Sequence, residues 1–144
     1  MKINFKSIIT PVHFEEDVEV LDVDAIQEIQ FDAPLTKRWN EEEQALELVF
    51  KEPKYNDTNR IDIYENEAWV YTKETTVQIK KEDFGIANVS FLNPQSKQIV
   101  EINMRTFCKA MVKEENSYKF NYFICSETDD KPISYLELNL KISE

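Results

Sequence analysis

Residues 117–125, SYKFNYFIC, decide the fold because apolar and polar side chains alternate along the whole segment. One set of alternate positions carries Tyr118, Phe120, Tyr122 and Ile124, and mostly polar residues occupy the other set. Successive side chains of a β-strand point to opposite faces of the sheet. The segment therefore predicts a strand in an antiparallel sheet that buries one face and exposes the other.

The same alternation recurs along the rest of the chain. Residues 134–142, SYLELNLKI, place four apolar side chains on one face: Leu136, Leu138, Leu140 and Ile142. Shorter examples are KINFKSI, AIQEIQF, ALELVFK, RIDIY, EAWVYTK, TTVQIK, GIANVSF and QIVEINM. No segment keeps an apolar stripe at helical spacing beyond one turn. We therefore expect a nearly all-β protein of roughly ten short strands.

Clusters of Asn, Asp, Pro and Ser separate these segments, and such residues favour turns. They lie at 32–34, 39–44, 52–59, 64–67, 92–98, 113–117 and 127–132. Strands at this spacing favour an antiparallel β-barrel, with a β-sandwich as the alternative. Residues 15–28 are ambiguous, because their apolar register slips near Leu21 and predicts either a bulge or a short helical turn.

The length of 144 residues, of which 42% are hydrophobic, fits one domain spanning residues 1–144. The 28 acidic and 17 basic residues give a formal net charge of -11. Such a surface repels phosphate, so neither nucleic acid nor an anionic membrane is expected as a partner. The first residues contain Lys2 and Lys6 and no long apolar run, so we expect no signal peptide and a cytoplasmic location.

The two cysteines and the single histidine give no indication of a disulfide or a metal site. A hairpin turning at residues 114–117 would place Cys108 opposite Phe123, with Cys125 on the same face about 7–8 Å away. That distance is too long for an easy disulfide, so two inert thiols are expected. His13 is the only histidine, which excludes a metal site built from several histidines. It is expected to be a surface or structural residue.

Acidic runs occur at 15–17, 22–24, 41–43 and 129–130, where solvated turns and charged strand edges are expected instead of a metal site. One glycine in the chain excludes the dinucleotide fingerprint and the P-loop, so no cofactor is expected. Glu137, Asn139 and Lys141 share a face of a predicted strand. The arrangement is similar to the alternating Glu-x-Glu-x-Lys of triphosphate tunnel enzymes, with Asn139 in place of the second acid. Only three arginines exist to bind a triphosphate, which makes an enzyme of this kind the least favoured class.

Aromatic residues are spread over many predicted strands. They are Phe5, Phe31, Trp39, Phe50, Trp69, Tyr71, Phe84, Phe91, Phe120 and Tyr122. Such residues either fill a core or line a cavity, since small barrels can enclose one ligand. A filled or narrow barrel is favoured. If a cavity exists, its expected lining is Trp69, Tyr71, Phe84, Phe120 and Tyr122.

The single glycine, Gly85, lies within EDFGIANVSF, residues 82–91, in the middle of a predicted strand. Glycine weakens a strand and is tolerated where the strand bends or bulges, or where another backbone or ring comes close. Gly85 is therefore expected to be structural. It would permit the bend that closes the sheet, with Phe84 packed beside it.

These residues also suggest a family. The segments TTVQIKKEDFGIANVSFLNPQSKQIVEINM, VKEENSYKFNYFI and SYLELNLKI resemble the C-terminal half of YwiB-like proteins, small bacterial lipocalin-like (calycin-type) β-barrels of unknown function. The resemblance rests on Phe84 and Gly85, the alternating apolar residues after them, Ile99, and two long closing strands. It implies an antiparallel barrel of eight to ten strands without assigned catalytic residues.

The expected function is that of a non-enzymatic cytoplasmic protein that binds a small apolar or amphipathic ligand in the barrel. The alternative is a protein–protein interaction module that uses an acidic face or an exposed strand edge, most simply as a homodimer. A metal-dependent phosphate-processing enzyme of the tunnel type ranks third.

Overall fold

The alternating segments form eleven β-strands in the computed structural model, which covers residues 1–144. The strands are β1 (Lys2–Glu15), β2 (Val18–Leu21), β3 (Gln27–Asn40), β4 (Ala45–Lys51), β5 (Thr58–Ile63), β6 (Glu67–Tyr71), β7 (Thr75–Lys80), β8 (Phe84–Leu92), β9 (Ile99–Glu114), β10 (Ser117–Ser126) and β11 (Pro132–Ser143). A 3₁₀ turn spans Val23–Ala25. No helix of the chain has the length and apolar character that crossing a membrane would require.

The strands form a closed antiparallel barrel. From β3 to β11 each strand pairs with the next one in the chain, and β1 pairs with both β3 and β11. Ten strands, β1 and β3 to β11, therefore complete the circle, while β2 extends one end of β1 as a hairpin. This confirms the predicted single β-barrel over the sandwich.

Strand direction alternates around the barrel, so its loops lie at two ends. The upper end carries the β1–β2 hairpin and the loops at 52–57, 72–74, 93–98 and 127–131. The lower end carries the turns at 41–44, 64–66, 81–83 and 115–116, together with both chain termini.

The barrel interior is packed with apolar side chains. Every one of the ten strands contributes at least one residue to a single cluster of 20 buried residues. Its fully buried members include Ile3, Leu48, Ile61, Ile79, Phe120 and Leu140. Side chains thus fill the lower part of the barrel, as expected for a small number of strands.

Two local predictions met different outcomes. The expected turn at 32–34 is wrong, because β3 runs through it without a break. Pro34 stands where β3 stops pairing with β1, and the next residue, Leu35, begins the pairing with β4. A residue without an N–H group fits this change of neighbour. In the ambiguous segment, the 3₁₀ turn Val23–Ala25 is the short helical turn that was one of the two alternatives.

The cysteine geometry also differs from the prediction. The pairing of β9 with β10 shifts register between Asn121 and Tyr122, so Cys108 lies opposite Tyr122 and not opposite Phe123. Cys108 points into the core, whereas Cys125 lies opposite Arg105 on the outer face. Both are free and buried, and burial raises the pKa of each thiol.

An ion-pair network joins β3, β4 and β5 on the outer face. Glu47 and Asp62 are directly opposite each other, and their side chains are only 7% and 6% exposed. Arg60 donates to both carboxylates at 2.9 and 2.8 Å, and Arg38 Nε donates to Glu47 at 2.7 Å. Since two like charges in register would repel, the two guanidinium groups make this pairing stable. The Asn40 amide and then Arg38 lower the pKa of Glu47.

Gly85 lies where β7, β8 and β9 come unusually close. A Cβ atom at this position would lie 2.7 Å from Thr106 Oγ1 and still closer to the carbonyl oxygen of Gln78. The Thr106 hydroxyl uses this space, because it donates a hydrogen bond of 2.5 Å to that carbonyl. The tight approach of a neighbouring backbone supports a structural role for Gly85.

We expect Gly85→Ala to destabilise the fold by about 1–3 kcal/mol, the usual cost of overpacking a close-packed interior. The added methyl must displace a backbone carbonyl, which cannot rotate away as a side chain can. Chemical denaturation measures the free energy of unfolding. The double variant Gly85→Ala, Thr106→Ala should recover only part of the loss, because the Gln78 carbonyl remains. Unchanged stability in Gly85→Ala would contradict the steric account.

We expect Glu47→Gln to lower the melting temperature at neutral pH. The folded-state pKa of Glu47 lies below the ordinary value of 4.5. Its stabilising contribution is therefore complete above that value and is lost as the pH falls through the lowered pKa. The difference between variant and wild type should shrink in acid. Glu42→Gln, in an exposed turn, is the matched control and should change little. A pH-independent difference would contradict the charge argument.

Candidate functional site

The upper end of the barrel has walls of unequal height. Residues 27–34 of β3 pair with β1 on one side but have no β4 partner on the other. β4 ends at Lys51, and the chain passes through the loop at 52–57 before β5 begins. The barrel wall is therefore incomplete between the first half of β3 and this loop.

A cleft of about 1160 Å³ occupies this gap. Its walls are residues 28–31 of β3, the β4–β5 loop and the β6–β7 turn, and Phe5 and Asn59 complete the lining. A smaller depression of about 330 Å³ lies at the lower end, but polar and charged side chains form almost all of its lining. The upper cleft is the candidate site, because it joins an apolar floor to a polar rim.

Three phenylalanines meet at the lower end of the cleft, where Phe5 and Phe31 form the floor and the buried Phe50 packs against them. The rings of Phe5 and Phe31 stack with centroids 4.9 Å apart, and Phe50 lies 5.9 and 6.0 Å from them. They come together because Phe5 is in register with Phe31, and the neighbouring strand β4 supplies Phe50. All three pack against the core. Ile29 stands above Phe31 on the same face of β3 and is 50% exposed.

Asn59 is the one amide set into this apolar floor. It lies opposite Phe50, in phase with the inward residues Ile61 and Ile63 of β5, and it is 8% exposed. Its side chain lines the cleft and makes no hydrogen bond to another residue of the protein. Its amide atoms keep their access to the cleft, because the fully buried side-chain polar atom without a partner is Asn121 Oδ1 and not an atom of Asn59. The amide can both donate and accept, so a ligand bound in the cleft can satisfy it.

The rim of the cleft is charged. Its acidic residues are Glu28, Glu52, Asp57 and Glu74, and its basic residues are Lys54 and Lys73. Glu28 pairs with Lys6 at 3.3 Å. Glu52 accepts hydrogen bonds from the backbone N–H groups of Lys54 and Tyr55 and so shapes the loop. Asp57 is half-buried and Glu74 is exposed, and neither makes a side-chain bond within the protein.

The residues predicted to line a cavity lie elsewhere. Phe120 and Tyr122 point inward and are buried in the filled core. The interior placement of Trp69 and Tyr71 is wrong, because Ala68 and Val70 take the inner positions of β6. Their rings stack on the outer face beside the Arg60–Asp62 pair, with centroids 6.1 Å apart.

The interior placement of Phe84 is also wrong. Its neighbour Gly85 takes the inner position, opposite the buried Thr106. The Phe84 ring lies on the outer face, 5.0 Å from the ring of Phe107 and 4.3 Å from the guanidinium of Arg105. None of the five predicted residues lines the cleft, and Ile29 and Asn59 were missed. The sequence TNRIDI does hold a signal for Asn59, since it occupies an inward position of the alternation.

Other residues weighed in the sequence do not combine into a site. His13 is exposed on β1, with its Nε2 3.2 Å from a carboxylate oxygen of Glu15. No three His, Cys, Asp or Glu side chains converge on a point. Glu137, Asn139 and Lys141 alternate with the inward leucines of β11, so they lie outside the barrel and line no tunnel.

Comparison with known proteins shows the fold and no more. No protein-family model matches the chain, and no curated protein matches it. Among solved structures, the crystal structure of the YwiB protein from Bacillus subtilis is similar, with a TM-score of 0.54 and 9% sequence identity. The match covers 99% of this chain and 94% of that one. The protein therefore has a YwiB-like fold.

Proposed function

We propose that the protein binds a small apolar or amphipathic ligand in the upper cleft, as a non-enzymatic cytoplasmic binding protein. The observation that carries this proposal is the amide of Asn59, which lines the cleft without a hydrogen-bond partner in the protein, beside the apolar floor of Phe5 and Phe31. Ligand sites are typically concave and mostly apolar, with a few polar groups that fix orientation. The apolar end of the ligand would lie on the phenylalanine floor, and its polar end would lie near the rim.

The strand edges support this proposal over self-association. β2 is the outermost strand of the hairpin, but it is four residues long, contains Glu19 and follows the acidic residues 15–17. Short, charged edges resist pairing with another chain. The longer free edge, residues 27–34 of β3, contains Glu28, Asp32 and Pro34, and charged residues and proline on an edge also disfavour pairing. A homodimer therefore ranks second.

The tunnel-type enzyme ranks third for an electrostatic reason. Its substrate would carry several negative charges, and Lys54 and Lys73 are the only basic residues of the cleft lining. Each of the three arginines is engaged in an ion pair away from the cleft. Sites for polyphosphates need more cationic donors than this.

The first test measures whether the cleft binds an apolar probe. We expect diphenylhexatriene, which fluoresces in apolar surroundings, to bind the wild-type protein. Ile29→Asp should weaken this binding at least about tenfold, because it places a charge in the apolar wall at a cost of more than about 1.4 kcal/mol. Native mass spectrometry of protein purified without detergent would show whether a ligand is retained from the cell.

Ile86→Asp is the matched control for Ile29→Asp. Ile86 is 54% exposed, close to the 50% of Ile29, and lies on the outer face of β8. It should leave diphenylhexatriene binding unchanged. An absence of binding to the wild type, or equal weakening by both variants, would overturn the proposal.

Asn59→Leu separates binding from folding. We expect it to raise the melting temperature of the ligand-free protein or leave it unchanged, because it replaces an amide that makes no hydrogen bond within the protein by an apolar side chain of similar size. A residue retained for folding alone would behave in the opposite way. Thermal unfolding of both proteins without ligand is the measurement. A fall of several degrees would show that Asn59 supports the fold and would remove the observation that carries the proposal.

A further inference from the structure

We infer that the cleft discriminates by charge and accepts uncharged or cationic amphipaths in preference to anionic ones. This inference rests on the proposed function and adds the chemical class of the ligand. It excludes fatty acids and other anionic amphipaths as the preferred occupants. Three features support it: the acidic rim, the placement of the arginines away from the cleft and the amide at the floor.

Carboxylates surround the opening. Asp57 stands on the β4–β5 loop and Glu74 on the β6–β7 turn, so negative charge without an ion-pair partner borders the cleft on two of its elements. Glu28 of β3 is paired with Lys6. The lining holds four acidic residues against two lysines, and the balance stays negative when Lys6, the partner of Glu28, is counted as a third. The chain as a whole carries -11, so the surrounding field has the same sign. An anion entering the cleft is therefore repelled at short and long range.

No arginine lines the cleft. Arginine is the side chain that binds a carboxylate or phosphate through two parallel hydrogen bonds. Arg38 and Arg60 are held by Glu47 and Asp62 on the outer face. Arg105 pairs with Asp130 at 2.8 Å and covers the Phe84 ring. An anionic head group in the cleft would consequently meet no guanidinium.

The polar group at the floor suits a ligand without negative charge. The Asn59 amide can donate to a carbonyl or hydroxyl and can accept from a hydroxyl or an ammonium group. It lies among phenylalanine rings, where an anion would lose hydration without a charged partner. At the rim, Asp57 and Glu74 supply acceptors for a cationic head group.

Three probes that share one hydrocarbon skeleton test this inference. They are diphenylhexatriene, its cationic trimethylammonium derivative and its anionic propionic acid derivative. At low ionic strength the cationic probe should bind at least about tenfold more tightly than the anionic one. Added salt should reduce this ratio of affinities. Fluorescence titration of wild-type protein gives all three dissociation constants. Equal or tighter binding of the anionic probe would overturn the inference.

A charge-neutralising variant locates the effect. Asp57→Asn with Glu74→Gln removes two negative charges from the rim and should reduce the cation-to-anion affinity ratio several-fold. Glu42→Gln with Glu65→Gln removes the same charge from turns at the lower end and should leave the ratio as in the wild type. An equal fall of the cation-to-anion affinity ratio in both double variants would show that the net charge of the protein causes the preference. It would contradict a specific contribution of the rim carboxylates.

The outcomes separate this inference from the proposed function. Binding of diphenylhexatriene that Ile29→Asp weakens, together with affinities independent of probe charge, overturns only the inference. Failure of the wild type to bind any of the three probes overturns the proposed function and the inference together.

Discussion

The antiparallel pairing of β1 with β11 is the contact on which the rest of the structure depends. It joins the first and last strands of the chain over residues 2–11 and 134–143. Without it, the sheet would end in two long strands whose apolar faces and peptide groups lacked partners. Once closed, the sheet has an inside and an outside, and the alternation of each strand assigns its side chains to one or the other.

The same pairing pattern produces the cleft. β1 continues toward the upper end of the barrel beyond the level at which β4 ends, and residues 27–34 of β3 pair with it there. β3 therefore extends past the end of β4. Beside residues 27–34 of β3, the loop at 52–57 consequently occupies the place that a paired strand would take. The core below is filled, so the space above the phenylalanine floor exists through a difference in strand length, not through a wide barrel.

The alternation of SYLELNLKI and SYKFNYFIC was sufficient to predict the closing strands and the faces they bury. It failed in β6, where both sets of alternate positions are apolar and periodicity cannot choose between them. A narrow barrel takes the small residues Ala68 and Val70 inside, and the bulky Trp69 and Tyr71 remain outside. The register shift at Asn121 is a one-residue offset between strands, which no pattern within either strand records.

The candidate site was harder to predict than the fold for a physical reason. Its residues come from β1, β3, β5 and two loops, so only the pairing of strands brings them together. Phe5, Phe31 and Phe50 each look like ordinary core residues in the sequence. Asn59 alone departs from the local pattern, and its meaning depends on the unequal walls above it.

The contact at Gly85 has a consequence for the cleft. Where the β7–β8 pairing ends, at Val77 and Ala87, the Thr106 hydroxyl of β9 reaches past Gly85 to the Gln78 carbonyl of β7. β7 and β9 are thus bonded across the strand between them, and neither can slide lengthwise without breaking that bond. β7 begins at the β6–β7 turn that borders the cleft, so this bond helps to hold that part of the rim in place along the barrel axis. A pocket formed in advance loses little conformational entropy on binding.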